Sequence, residues 1–283
     1  MRLNPFNPNS INVRGGGGGG FPGGGGGQLG CGAIVIALIG ALVFGIDPSQ
    51  MLGTIEGTQG GAPQQTDNRS VQELCTQDQY ATEACNTLQS LNDTWAPVFQ
   101  QAGIKFQPPA LELYSNRANS GCGAASSAMG PFYCPNDQTI YLDTSFYDEL
   151  NRKLGAGPGD FARYYVVAHE YGHHIQALTG VAQQISSAQQ QNPGQANALS
   201  VRLELQADCY AGVWAGKNRN LIEPGDFEEG MQAASAIGDD TLTHGQVSSD
   251  NFTHGTSAQR MQALRLGMES ADDNQCDKIV QVG

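Results

Sequence analysis

The sequence predicts an α+β fold, mainly helical with a small β-sheet, preceded by a single transmembrane helix. Three observations predict it. Apolar residues recur at three- and four-residue steps in several long segments, two short segments alternate like strands, and one uncharged apolar run stands near the N-terminus.

Residues 15–27 hold eleven glycines around Phe21-Pro22, a composition that buries no core and reads as a flexible linker. Residues 29–46 (LGCGAIVIALIGALVFGI) carry no charge and are just long enough to cross a bilayer. Arg2 and Arg14 are the only charges ahead of that run. The positive-inside rule therefore makes residues 1–28 a Gly-rich cytoplasmic arm and puts the body outside, periplasmic or on the cell surface. No small-x-small cleavage pattern follows the run, and Cys31 opens it where a lipidated cysteine would close it. The expected arrangement is a single-pass cell-membrane anchor, a stalk at residues 47–68 rich in Gly, Gln and Pro, and an extracytoplasmic domain at residues 69–283.

Within that domain, Val71, Leu74, Cys75, Leu88, Leu91, Trp95, Val98 and Phe99 describe two amphipathic helices joined near Gln77-Asp78-Gln79, with Pro97 a candidate kink. Leu111–Ser115 and Thr139–Asp143 alternate like strands, separated by a small-residue loop at Ser120–Ser127 and a turn at Pro135-Asn136-Asp137. A long helix is expected over Phe161–Thr179, between Asp160 as N-cap and Gly180 as stop; its first half is apolar nearly all round, which implies burial. A polar connector, helical in part, follows at residues 181–199. Further helices are expected over Ser200–Ala215, Pro224–Ile237 and Ser257–Leu266, the last behind a Thr256/Gln259 capping box.

Six cysteines lie beyond the apolar run, an even number that suggests disulfides in an oxidising compartment. Cys75 with Cys85 and Cys122 with Cys134 are near neighbours in sequence, leaving Cys209 with Cys276, though other pairings remain open. No zinc-ribbon spacing occurs among them. With Arg2 and Arg14 set aside, twelve of the 14 basic residues face all 27 acidic ones, a net charge of −15 on the body. That excludes nucleic acid as a partner and docking on anionic lipid.

His169-Glu170-Tyr171-Gly172-His173 carries the chemistry. Histidines four residues apart on a helix project from one face and suit a single Zn2+ ion, with Glu170 placed as general base toward an activated water. Hydrolytic zinc takes a third protein ligand, and Thr179 excludes the extended three-histidine pattern. Glu204 is the expected third ligand. Asp208, one turn later on a helix too apolar to be exposed, is expected to accept a hydrogen bond from a ligating histidine. His244 and His254 are rival ligands; His254, at Phe252-Thr253-His254-Gly255, is expected instead to steady an oxyanion. His174 points away from the ligand face, toward a supporting position or the surface. Asp239 and Asp240 are expected to cap a turn rather than hold calcium.

These motifs, together with Gly121-Cys122-Gly123, Gly130-Pro131-Phe132-Tyr133-Cys134-Pro135, Glu204-Leu205-Gln206-Ala207-Asp208-Cys209-Tyr210-Ala211-Gly212 and Ile237-Gly238-Asp239-Asp240, resemble the bacterial neutral zinc metallopeptidases. Members of that family are membrane-anchored proteins of about this size, and the likeness covers most of residues 69–270. More distantly, Glu204 to Asp208 and Thr253-His254 followed by Arg260 resemble the membrane-associated CAAX-processing and heat-shock proteases. That likeness implies a zincin-like domain of the glutamate type. The expected function is a membrane-anchored zinc-dependent endopeptidase acting on protein or peptide substrates; no oligomeric state is implied. The alternative is a membrane-tethered binding or assembly module whose zinc site is structural or vestigial, which a closed fourth ligand would mark.

Overall fold

The computed structural model describes residues 1–16, 67–148 and 159–281. The run expected to span the membrane at 29–46, with nearly all of the stalk and most of the glycine tract, lies outside the described residues. Among those described, no helix is long and apolar enough to cross a membrane.

Helices α1 (Val71–Cys75) and α2 (Gln79–Ala102) form where the apolar periodicity places them. A Ser70/Glu73 capping box starts the first, the Asp78 carboxylate caps the second by accepting from Ala81 N–H, and the Cys75–Cys85 disulfide ties the pair together. The motif helix α3 runs Asp160–Thr179 and stops at Gly180, whose φ of 79° suits a residue without Cβ. The expected polar connector contains another helix, α4 (Val181–Gln191), which hides Ile185 and Gln189. Then come α5 (Ala196–Lys217), α6 (Asp226–Ala236), α7 (Asp239–Leu242), α8 (Ser257–Ser270) and α9 (Asp273–Asp277).

The sheet is larger than the two expected strands. Its order is β1-β2-β6-β5, from β1 (Asn12–Gly16), β2 (Ala110–Tyr114), β6 (Thr139–Asp143) and β5 (Phe132–Cys134). β1 and β2 run parallel to each other and to β6, whereas β5 is antiparallel to β6 across the turn after Cys134. The segment expected as a small-residue loop is a hairpin, β3 (Arg117–Ser120) with β4 (Gly123–Ser126), and Cys122–Cys134 fastens it to β5. β1 also corrects the reading of the N-terminal arm: Gly15 and Gly16, counted as linker, are strand residues, and residues 1–16 belong to the body.

Helix α3 is the centre of the molecule, buried on all sides from Phe161 to Gly172 between α2, α5, α6 and the sheet. Two glycines let α5 and α8 lie backbone to backbone. A Cβ on Gly212 would fall 2.2 Å from Leu264 O, and one on Gly267 would fall 2.0 Å from Cys209 O. Cys209–Cys276 closes this side, so the disulfides match the pairing expected from sequence. Gly212→Ala is expected to push α5 and α8 apart and to cost about 1–3 kcal/mol, as overpacking does. Urea unfolding of the variant would register this as a lower midpoint; an unchanged midpoint would mean that the helices do not cross this closely.

Candidate metal centre

His169 and His173 stand one turn apart on α3, ring centroids 4.8 Å from each other, facing Glu204 on α5. Glu204 reaches both rings: one carboxylate oxygen is 3.2 Å from His169 Nε2, the other 3.5 Å from His173 Nε2. The ligand atoms of the three residues lie within 4.8 Å of one another. The convergence depends on Gly172. A Cβ there would sit 2.7 Å from Ala207 Cα, so only glycine lets α3 approach α5 closely enough for Glu204 to meet the histidines.

The other ring nitrogens are already committed. His169 Nδ1 donates to Asp208 Oδ1 at 2.8 Å, and His173 Nδ1 donates to Gln176 Oε1 at 2.9 Å. The Gln176 amide is oriented by its own donations to Leu203 O and Gln206 Oε1. With Nδ1 of each ring committed as a donor, Nε2 is the nitrogen turned toward the cluster. Two imidazoles and a carboxylate, aimed at one point with their tautomers fixed, are a donor set that fits zinc. Burial pushes the Glu204 carboxyl up, but the two histidines outweigh it and hold the group well below the ordinary carboxylate range.

Asp208 is fully buried and anchors a wider network. Besides His169 it accepts from Tyr165 OH at 2.6 Å and from Arg260 through Nε at 2.8 Å and Nη2 at 2.9 Å. Burial alone would raise this carboxyl; the Arg260 guanidinium overrides it and brings the group down to about 2. Asp208 therefore stays an anion, able to accept from His169.

Glu170, next to His169 on the helix, is also buried, and burial pushes its carboxyl up to about 8 against the opposing pull of the His169 ring. β5 pairs with β6 on one side only and, as the last strand of the sheet, packs against α3. Tyr133 ties it there. Tyr133 OH donates to His174 Nδ1 at 3.0 Å, while His174 Nε2 donates to Gln107 O at 2.7 Å. Of the two positions considered for His174, the structure takes the supporting one: it is fully buried, neutral, and clamps strand to helix.

His254 is held in a cradle made by Asp239. One Asp239 oxygen accepts the backbone N–H groups of Thr253, His254 and Gly255, and the other accepts from His254 Nδ1 at 3.0 Å. His254 Nε2 is buried without a hydrogen-bond partner among the described residues. The ring acts electrostatically on Glu204 but does not join the ligand cluster. Asp240 accepts from Ser257 N–H at 2.7 Å, at the start of α8, as the capping expectation had it. Asp239 caps a turn as well, the loop that carries His254. His244 is exposed on a turn at φ 50°, apart from the cluster.

Sequence reasoning missed Gln176, Tyr165, Tyr133 and the pairing of Asp239 with His254. Gln176 carried one usable signal, an amide three residues after His173 on a helix predicted to be buried. The others meet the site only through tertiary contacts.

A relative in Escherichia coli K12, the uncharacterized protein YpfJ, is 44% identical over 249 residues, covering 86% of this chain and 85% of its own length. The uncharacterized protein Rv2575 of Mycobacterium tuberculosis is 41% identical over 203 residues, covering 66% of this chain and 67% of its own. No solved structure matches the chain. The family model described as "Putative neutral zinc metallopeptidase" matches residues 6–279, from the N-terminal segment through the metal cluster to α9, and the chain belongs to that family.

Proposed function

We propose that the chain is a zinc-dependent endopeptidase of the glutamate type. The observation that carries this reading is a cluster of three ligands that no fourth His, Cys, Asp or Glu completes among the described residues. A structural zinc site closes its fourth position with protein, whereas a hydrolytic one leaves it to water or substrate. The cluster thus supports the enzyme over the binding-module alternative.

Zinc, when bound by His169, His173 and Glu204, supplies a Lewis acid for the scissile carbonyl and acidifies a water. The remaining work falls to the chain's own side chains. Glu170 takes the proton from the attacking water and delivers it to the leaving amine. Asp208 and Gln176 hold the histidine tautomers, and Arg260 with Tyr165 keeps Asp208 charged and fixed. His254, its Nδ1 held by Asp239, turns its unpartnered Nε2 toward the oxyanion that develops on the carbonyl.

The substrate reads as an extended peptide. Backbone pairing along the outer edge of β5 would lay a chain beside the motif helix, because β5 ends the sheet and Tyr133 is bonded to His174 on that helix. Residues 29–46 are the proposed membrane attachment, and the three disulfides support an oxidising, extracytoplasmic setting for the body.

Three variants test the assignments. Glu170→Gln is expected to retain stoichiometric zinc while peptide cleavage falls about 10²–10⁴-fold; undiminished cleavage by clean, metal-loaded protein would reject Glu170 as the base. Asp208→Asn should weaken zinc about 10–100-fold in competition with a chelator, and Glu204→Ala should weaken it further. Equal zinc affinity in Glu204→Ala and wild type would remove Glu204 from the ligand set. For His254→Phe, kcat is expected to drop about 10²–10³-fold with zinc affinity intact. Loss of metal in that variant would make His254 a ligand instead.

A further inference from the structure

Residues 1–16 are built into the body. β1 pairs with β2 over five residues, from Asn12 opposite Ala110 to Gly16 opposite Tyr114. Met1, Ile11 and Val13 are buried in the main core, with Leu3 and Phe6 packed against it. The body also satisfies the segment's polar groups. Arg2 N–H donates to Leu221 O at 2.8 Å, Phe6 N–H to Asn86 Oδ1 at 2.9 Å, and Arg14 Nη2 to Thr139 Oγ1 at 2.7 Å.

An acidic pocket receives Met1. Its ammonium, with no exposure to solvent, lies 2.9 Å from Asp226, 3.1 Å from Asp160 and 3.7 Å from Glu223. Asp160 opens α3 and Asp226 opens α6, so the contact joins the motif helix to its neighbour. Asp160, Asp226 and Glu229 also have the spacing of a metal site, but Asp160 and Asp226 already hold the ammonium, and we assign no metal there.

We infer that residues 1–16 lie on the same side of the membrane as residues 67–281, docked on the body through β1 and the acidic pocket. A single crossing by residues 29–46 would put the two on opposite faces. The body would then keep a bare β2 edge, an uncovered patch of core and a carboxylate cluster with no cation, each unfavourable by itself. The cytoplasmic N-terminus expected from Arg2 and Arg14 gives way, because both arginines are engaged by the body, Arg2 with Glu223 and Arg14 with Thr139. Both ends of the apolar run then face one compartment. This conclusion rests on the contacts of residues 1–16 and not on the peptidase reading.

The test uses full-length protein in its native membrane with Cys31→Ser, the other six cysteines being held in disulfides. Asn9→Cys and Gln262→Cys, at two exposed positions, are treated separately with a membrane-impermeant maleimide in intact cells and in everted vesicles. Both are expected to react from the same face; reaction from opposite faces overturns the inference. Docking is read from Ser10→Cys with Gln89→Cys, whose native side chains are hydrogen-bonded, using a short bis-maleimide. An intramolecular cross-link is expected, with Asn7→Cys and Gln89→Cys as a second pair should the first disturb the fold. Failure of both pairs in protein that keeps its three disulfides also overturns it. Neither readout uses peptide cleavage, so an inactive enzyme and an undocked N-terminus are separate results.

Discussion

The approach of α3 to α5 at Gly172 and Ala207 is the constraint on which the metal centre depends. The two helices supply every residue of the ligand cluster and most of its supports, and they meet with less than a side chain between them. Residues 165, 169, 172, 173 and 176 form one stripe of α3, and residues 203, 204, 207 and 208 form the facing stripe of α5. With a methyl group at 172, Glu204 and Asp208 would move away together. The glycine inside the HEYGH motif is thus a packing residue as much as a spacer.

Around that crossing Asp208 and Asp239 are buried where a counter-charge or an oriented donor meets each of them. Asp208 has a guanidinium, a phenol and an imidazole; Asp239 has an imidazole and three backbone N–H groups. Such satisfied networks fix ring orientations that apolar packing alone would leave free to rotate. His254 Nε2 differs: a buried ring nitrogen without a partner among the described residues has a directional capacity that the folded chain itself does not use.

The parts of this arrangement that were legible in the sequence are those with a local period. The spacing of His169 and His173 and the single turn from Glu204 to Asp208 are helical facts, as are the caps at Thr256 and Gly180, and each survives translation into three dimensions. Strand β6 was readable for the same reason, since its alternation is local. Strand β5 was not: three residues cannot establish a period, and a cysteine and a turn consume its end. β1 was hidden differently. Its last two residues are glycines at the head of a glycine tract, so composition argued for linker while β2 supplied the pairing that makes them strand. Tyr133, Tyr165 and Asp239 reach the site across 41, 43 and 15 residues of chain, and no spacing rule connects them to their partners.

The brevity of β5 has a consequence for solubility. Any strand margin open to a foreign peptide is also open to another copy of the same protein, and long flat margins template aggregation. Here one margin of the sheet is β1, against which α1 packs, and the other, β5, is only three residues long. So short a template gives little to a visitor that brings backbone hydrogen bonds and nothing else. A peptide also gripped at a metal centre would not need more, so the margin can welcome a substrate without welcoming its own kind.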